Sequence, residues 1–310
     1  MNHPLELTVV MYHYVRDPGD AAEAGSGILG MSVRDFEAQL NELSQRHTFI
    51  AWPDLRAALQ GDVTLPSSAC LLTFDDGVSD HYVNVFKILH DRGLSGLFFV
   101  LDRRGSDGLI LAHKIHFLLA RLGLAGLREA IWEKLDSAQR ERFTQAEKRY
   151  QLSYPPISLD KQINLLKAVL QRDLSAEVDT LLGKLFEGHI GSENETARHY
   201  YLNSEQIREM AADGMHFGGH SHTHPWFDWI EAAERTAEIS ASAEWLHQIE
   251  PGPWAFAYPY GGLSEDALSL LNAHGFVAAF TTKAQLYHSD AYLIGRLDGE
   301  EIAHEGQGHV

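Results

Sequence analysis

Short apolar segments rich in β-branched and aromatic residues recur along the chain, and most are followed by apolar residues at helical spacing. We predict strands over Leu7–Tyr14, Ala69–Phe74, Gly96–Leu101, Met215–Gly219, Trp254–Tyr258, Phe276–Thr281 and Tyr292–Leu297. Strand and helix signals that alternate in this way are typical of parallel βα units. The pattern therefore predicts an α/β fold around a parallel sheet of about seven strands.

Polar residues and glycines mark the ends of the predicted helices. N-terminal caps are expected at Ser32, Asn203 and Ser264, each with an acidic or amide side chain shortly after it. C-terminal caps are expected at Gly93, Gly214 and Gly275.

The strand signals disappear over residues 102–200, between the third and fourth predicted strands. Apolar residues repeat there at helical spacing, as in Leu124, Leu127, Ile131 and Leu135 and in Ile163, Leu166, Val169 and Leu170. We expect a helical insertion that separates two parts of one barrel, 1–101 and 201–310. On a βα barrel such an insertion would project from the face that carries the strand-to-helix loops and the active site.

Composition narrows the classes of partner. The 310 residues are 45% hydrophobic and 22% charged, which is ordinary for a packed protein, and the formal net charge is -18. Such a charge repels polyanions, so nucleic acid is not expected as a partner. No apolar stretch approaches the length of a membrane span, no export signal is visible, and Cys70 is the single cysteine. We predict a cytoplasmic protein.

Two adjacent carboxylates end the second predicted strand, in Thr73-Phe74-Asp75-Asp76-Gly77. At a strand end, one carboxylate can point toward a metal and the other toward a water molecule. Asp-Asp-Gly is also a common turn sequence, and this motif alone leaves both interpretations open.

Two histidines at i, i+4 spacing follow the fourth predicted strand, in the run from His220 to Pro225. On a helical turn this spacing places both imidazoles on one side, close enough to bind one cation. His220 and His224 with one carboxylate would make a three-ligand metal site, whereas His222 is expected to face away. The alternatives are a histidine-rich surface turn or a core histidine bound to backbone, and the carboxylate pair makes both less favoured.

A third motif, Phe256-Ala257-Tyr258-Pro259-Tyr260-Gly261, closes the next predicted strand. Pro259 fixes the turn, so the backbone N–H of Tyr260 could point at an oxyanion. By itself the string is also consistent with a simple aromatic turn.

In this order the three motifs resemble those of the polysaccharide deacetylases, also called carbohydrate esterase family 4. The resemblance covers about residues 7–100 and 215–297 and implies a distorted (β/α) barrel. It implies that Asp75 is the catalytic base, that Asp76, His220 and His224 bind a divalent metal, usually zinc, and that Tyr260 donates to the oxyanion. The cation would polarise the acyl carbonyl and acidify water while Asp75 takes the proton.

The chain departs from the family pattern at two points. The family arginine that orients the base falls on Ala257, and the Leu-x-His that supplies the general acid is not found. We predict that Arg296 holds Asp75 from another direction and that His13 supplies the missing polar group. Both residues could instead make ordinary hydrogen bonds.

The sequence therefore predicts a metal-dependent hydrolase that removes an N-acyl group from an amino sugar or glycan precursor. One or two of Trp226, Trp229, Tyr258 and Tyr260 are expected to stack on sugar, whereas His113 and His116 are expected to be structural. The alternatives are a deformylase, another amide or imide hydrolase, and a sugar-binding relative without catalysis.

Overall fold

A computed structural model describes residues 7–17, 28, 30–102, 108–153, 158–283 and 291–302. Eight strands form one sheet: β1 Leu7–Tyr12, β2 Thr48–Phe49, β3 Ala69–Phe74, β4 Leu97–Val100, β5 His216–Gly219, β6 Trp254–Ala257, β7 Phe276–Phe280 and β8 Leu297–Asp298. Every strand pairing is parallel. The prediction of parallel βα units is confirmed.

The sheet has the strand order β7-β6-β5-β4-β3-β1-β8, with β2 paired to the start of β3. Phe280 of β7 forms a parallel bridge with Ile294, and Leu297 of β8 pairs with Val10 of β1. The segment 294–298 thus pairs with the strands at both ends of the sheet. This closure confirms the predicted distorted barrel. The predicted strand Tyr292–Leu297 is shorter and later than expected because this segment changes partner from β7 to β1.

The helices of the described residues are α1 Val33–Arg46, α2 Trp52–Gln60, α3 Lys87–Asp91, α4 Leu111–Lys134, α5 Ser137–Ser153, α6 Leu159–Ala168, α7 Ser175–His189, α8 Glu193–Tyr200, α9 Ser204–Ala212, α10 Ala232–Leu246 and α11 Ala267–Ala273. A π-helical turn, His81–Phe86, runs directly into α3, and a second one, Val169–Asp173, follows α6.

Most of the predicted helix caps are confirmed. Ser32 accepts a hydrogen bond from the backbone of Asp35, and Asn203 forms a capping box with Gln206. The glycines at 93, 214 and 275 all have the positive φ typical of C-terminal caps. Ser264 is not a cap, because a separate turn from Ser264 to Ala267 precedes α11.

Two compact units divide the described residues: 7–17, 30–102 and 200–302 form the first, and 28 and 108–199 form the second. The second unit has its own core, in which Leu127, Ile131 and Leu166 are buried. The division of the chain at residues 102 and 200 remains a prediction.

Alternation along the strands places residues on an inner and an outer face of the first unit's sheet. Leu71 belongs to an inner cluster with Phe99 and Ala257, whereas Leu72 and Phe74 pack in an outer cluster with the helices. Because of this alternation, the side chain of Asp75, the first residue after β3, points to the inner face at the carboxyl end of the sheet.

Candidate active site

Two adjacent carboxylates leave the end of β3 in different directions. The N–H of Asp75 donates to the carbonyl of Tyr12 at 2.9 Å, which continues the ladder to β1. Asp76 then adopts a φ of 74°, in the left-handed region that Asp tolerates better than most residues. The change of hand separates the two side chains, both of which are buried.

The histidine pair follows β5 in a turn that is not helical. Ser221 and His224 have φ values of 69° and 62°, so the chain twice enters the left-handed region. The imidazole rings of His220 and His224 still meet, with centroids 4.8 Å apart. The expected convergence is present, but the i, i+4 helical geometry expected from the spacing is wrong because these backbone angles break the helix.

Asp76 and the two histidines place three ligand atoms around one point. The Nε2 atoms of His220 and His224 lie 3.3 and 3.4 Å from Oδ1 of Asp76 and 3.2 Å from each other. A tetrahedron whose corners lie about 2.0–2.1 Å from a zinc ion has edges of about 3.3–3.4 Å. Within the described residues no other cluster of three or more His, Cys, Asp or Glu side chains has ligand spacing.

The hydrogen bonding and the charges around His220 also favour a bound cation. Nδ1 of His220 lies 2.8 Å from the carbonyl of Ala257, a contact that fixes Nδ1 as the protonated nitrogen and leaves Nε2 for a metal. Burial by itself lowers the pKa of His220, but the carboxylates of Asp75 and Asp76 raise it above its usual value. The same negative field favours a bound cation.

Asp75 is held by a buried arginine. Nη1 and Nη2 of Arg296 each lie 2.7 Å from one carboxylate oxygen of Asp75. Burial alone would raise the pKa of Asp75, yet the charge and hydrogen bonds of Arg296 lower it below its ordinary value. Asp75 is therefore ionised at neutral pH.

The Arg296 side chain is fixed on the inner face of the sheet. Its Nε donates to the carbonyl of Thr281 at 3.3 Å, and its guanidinium lies 5.4 Å from the ring centre of Phe99. Ala257 occupies the position at which the deacetylase motif has an arginine, and it lies in the same inner cluster as Phe99. The guanidinium therefore reaches Asp75 from the last strand segment instead of from β6.

His13 follows β1 and lies beside the base. Its Nε2 is 4.0 Å from Oδ2 of Asp75, and its side chain is 39% exposed. The carbonyl of His13 accepts a hydrogen bond at 2.8 Å from Nε2 of His81, a fully buried residue that the sequence did not single out. His13 thus has a fixed backbone and a ring that can reach both Asp75 and solvent.

Aromatic residues surround the histidine pair. The Tyr260 ring packs edge-on against His224, with centroids 4.5 Å apart, and stacks on Trp226 at 4.4 Å and 11°. Tyr260 has a φ of 56°, which turns the chain after Pro259. Trp229 is 50% exposed, whereas Tyr258 is completely buried and cannot stack on a sugar.

Three further histidines named from the sequence are not part of the ligand cluster. His222 directs Nδ1 to the carbonyl of Asp102 at 2.7 Å. His113 and His116 lie in α4 of the second unit, with ring centroids 6.0 Å apart. None of the three belongs to the cluster with metal-ligand spacing among the described residues.

No helix in the described part of the chain is both long and apolar enough to cross a bilayer.

Comparison with protein families gives a match to the polysaccharide deacetylase model over residues 185–279. This range contains both histidines and Tyr260, but it begins after the Asp75-Asp76 pair and therefore does not include it. A putative polysaccharide deacetylase, YxkH of Bacillus subtilis (strain 168), is 25% identical over 114 residues. That alignment spans 36% of this chain and 36% of the relative's length.

Solved structures resemble the chain over nearly its whole length. IcaB from Ammonifex degensii superposes with a TM-score of 0.57 at 20% identity, covering 94% of this chain and 91% of that one. The Streptococcus pyogenes deacetylase PplD, in complex with acetate, gives 0.59 at 15% identity over 96% and 93%. At these identities the likeness shows a common fold.

Proposed function

We propose that this chain, a member of the polysaccharide deacetylase family, is a metal-dependent hydrolase that removes an N-acyl group, acetyl in the first instance, from an amino sugar or glycan precursor. One observation carries the proposal: the Asp76, His220 and His224 ligand atoms meet beside an aspartate clamped by arginine. A sugar-binding protein has no need of an ionised base next to a metal site.

The three ligand atoms fit a divalent cation, and zinc suits their spacing and their nitrogen and oxygen donors. When bound, such a cation would act as a Lewis acid that polarises the acyl carbonyl and lowers the pKa of a water molecule. The hydrogen bond from His220 to Ala257 orients that imidazole for binding.

Asp75 acts as the general base. Its carboxylate is ionised, and Arg296 occupies both of its oxygens from one side, which fixes its plane. The carboxylate accepts a proton from the water as that oxygen attacks the acyl carbon. Charge then develops on the carbonyl oxygen, to which the backbone N–H of Tyr260 donates.

His13 delivers the proton that the leaving nitrogen needs. It lies 4.0 Å from Asp75, and its side chain is partly exposed whereas that of Asp75 is buried. Cleavage of an amide requires this second proton transfer because an amine anion is a very poor leaving group. In these roles Arg296 replaces the arginine that orients the base, and His13 replaces the histidine that acts as general acid. Both groups missing from the motifs thus have a substitute, which argues against a non-catalytic relative.

The test is a mass-spectrometric screen. The zinc-loaded protein is incubated with N-acetylated monosaccharides, nucleotide sugars and chitooligosaccharides, and the products are examined for loss of an acetyl group, with the Asp75→Asn variant as control. Loss of acetyl by the unmodified protein alone supports the proposal. Release of formate from N-formyl sugars only would identify a deformylase, and no acyl loss from any sugar would reject the proposal.

A further inference from the structure

The turn that carries the two histidines is held by a carboxylate from a neighbouring helix. Glu238 of α10 accepts hydrogen bonds from the backbone N–H of His222 at 2.7 Å and of Thr223 at 2.8 Å, both to Oε2. Its Oε1 accepts from the hydroxyl of Thr223 at 2.6 Å. All three donors lie between His220 and His224.

We infer that Glu238 is a positioning residue of the metal centre, which holds the 222–223 backbone and thereby sets the separation of the two histidine ligands. The inference rests on the metal site of the proposed function. Glu238 itself is not among the ligand atoms, so it acts through the turn.

Backbone geometry explains why this turn needs a fixed partner. Ser221 and His224 both have positive φ values, and neither is glycine. L-residues favour other conformations, so a turn with two such residues persists only where surrounding contacts fix it. Glu238 binds the two residues between them.

Other contacts also hold the turn, including the one from the His222 ring to the carbonyl of Asp102, but none of them involves the backbone N–H groups of residues 222 and 223. The carbonyl of Ser221 accepts from the N–H of Asp102 at 3.1 Å, and its hydroxyl accepts from the N–H of His224 at 3.0 Å. Both bonds involve Ser221. The N–H groups at 222 and 223 instead converge on a single oxygen, an arrangement that an ionised carboxylate, which only accepts, satisfies well.

The helix is close enough to do this because of a glycine. A Cβ on Gly219, the last residue of β5, would lie 2.5 Å from the hydroxyl oxygen of Ser242. Ser242 is one helical turn beyond Glu238 on α10 and is completely buried. The absence of a side chain at Gly219 therefore lets α10 approach β5, which brings Glu238 within reach of the turn that follows β5.

Zinc affinity tests the inference directly. We expect Glu238→Ala to weaken zinc binding by about tenfold to a hundredfold, the usual effect of losing a group that orients metal ligands. Glu238→Gln keeps one acceptor oxygen for the two N–H groups and should lose less. The measurement is a competition titration with a chromogenic chelator, together with the visible spectrum of the Co²⁺-loaded protein, which reports ligand geometry.

The matched control is Glu244→Ala, on the same helix, where the carboxylate contacts only Ser240 of its own helix among the hydrogen bonds described. It removes the same charge and should leave zinc affinity unchanged. All titrations are made below the unfolding temperature of each metal-free variant, so that lost affinity is not lost folding. If Glu238→Ala does not fold, Glu238→Gln carries the test.

The outcomes separate the two claims. If the unmodified protein binds one zinc ion and Glu238→Ala binds it within about twofold of that affinity, with the same Co²⁺ spectrum, the role of Glu238 is refuted and the metal site stands. If the unmodified protein binds no metal, the site and the role of Glu238 are both refuted.

Discussion

Arg296 donates two parallel hydrogen bonds to Asp75, from Nη1 to Oδ1 and from Nη2 to Oδ2, each 2.7 Å long. Their side chains are 0% and 2% exposed. Bulk water stabilises the Asp75 carboxylate little at this depth, so its charge depends mainly on the guanidinium. The ion pair therefore couples the position of the proposed base to the stability of the barrel.

Loss of the arginine should destabilise the protein strongly. Arg296→Met leaves the Asp75 carboxylate buried without its partner, which costs about 3–5 kcal/mol when a buried pair is broken from one side. The measurement is chemical denaturation at neutral pH, and deacetylation should be lost as well.

A double variant separates charge from packing. Asp75→Asn combined with Arg296→Met removes both charges, so most of the lost stability should return, whereas activity should not. A double variant as unstable as Arg296→Met alone would mean that the arginine stabilises the barrel by packing and not by neutralising Asp75.

The sequence predicted most of the strands and the convergence of Asp76, His220 and His224 because these depend on local patterns. Asp76 lies two residues after β3 and His220 directly after β5. In a parallel sheet the carboxyl ends of all strands lie at one edge. Asp76 and the histidine pair are thus brought together by the order of βα units alone, without knowledge of any long-range contact.

The features that the sequence did not predict depend on left-handed backbone conformations and on contacts between residues distant in the chain. The turn from His220 to His224 lacks the glycines that usually signal left-handed residues, so a helical turn was the natural expectation. The segment around Ile294 changes its pairing from β7 to β1, and no local pattern marks such a change. Glu238 lies inside an ordinary helix, with no motif around it.

His13 should matter for the leaving group. His13→Gln should lower turnover of an N-acetyl sugar by about a hundredfold to ten-thousandfold, the usual range for a general acid. An aryl acetate ester should be affected far less because a phenolate leaves without a proton. The measurement is kcat for both substrates, with His90→Gln, a surface histidine, as control. Equal losses on amide and ester would refute the general-acid role.

The metal should bind at one site. The unmodified protein should contain about one equivalent of zinc, and the combined His220→Ala and His224→Ala variant should contain almost none because two of three ligands are lost. Metal analysis of dialysed samples gives the stoichiometry. A value that stays near one in the double variant would place the metal elsewhere.

Substitution of the two adjacent aspartates should affect metal binding and turnover differently. Asp75→Asn cannot accept a proton, so the rate should fall by roughly a hundredfold to ten-thousandfold while zinc stays bound. Asp76→Asn removes a charged ligand, so zinc affinity should fall and activity should partly recover in excess cation. Bound metal and turnover are read in the same titration. Recovery of Asp75→Asn by added zinc would remove its assignment as the base.

His81 should make the protein sensitive to acid. Burial lowers the pKa of His81 from 6.5 to about 4, and its ring packs against Phe74 and Phe98. Between these two pH values the unfolded chain binds a proton that the folded protein excludes, so stability falls as pH falls, by about 1 kcal/mol per pH unit. His81→Phe keeps an aromatic ring but loses the bond to His13, so it should be less stable at pH 7 and approach the unmodified protein as the pH drops. Denaturation curves across this window measure the difference, which also cancels the titration of other groups. A difference independent of pH would mean that His81 binds its proton equally well in the folded and unfolded states, so that burial does not lower its pKa.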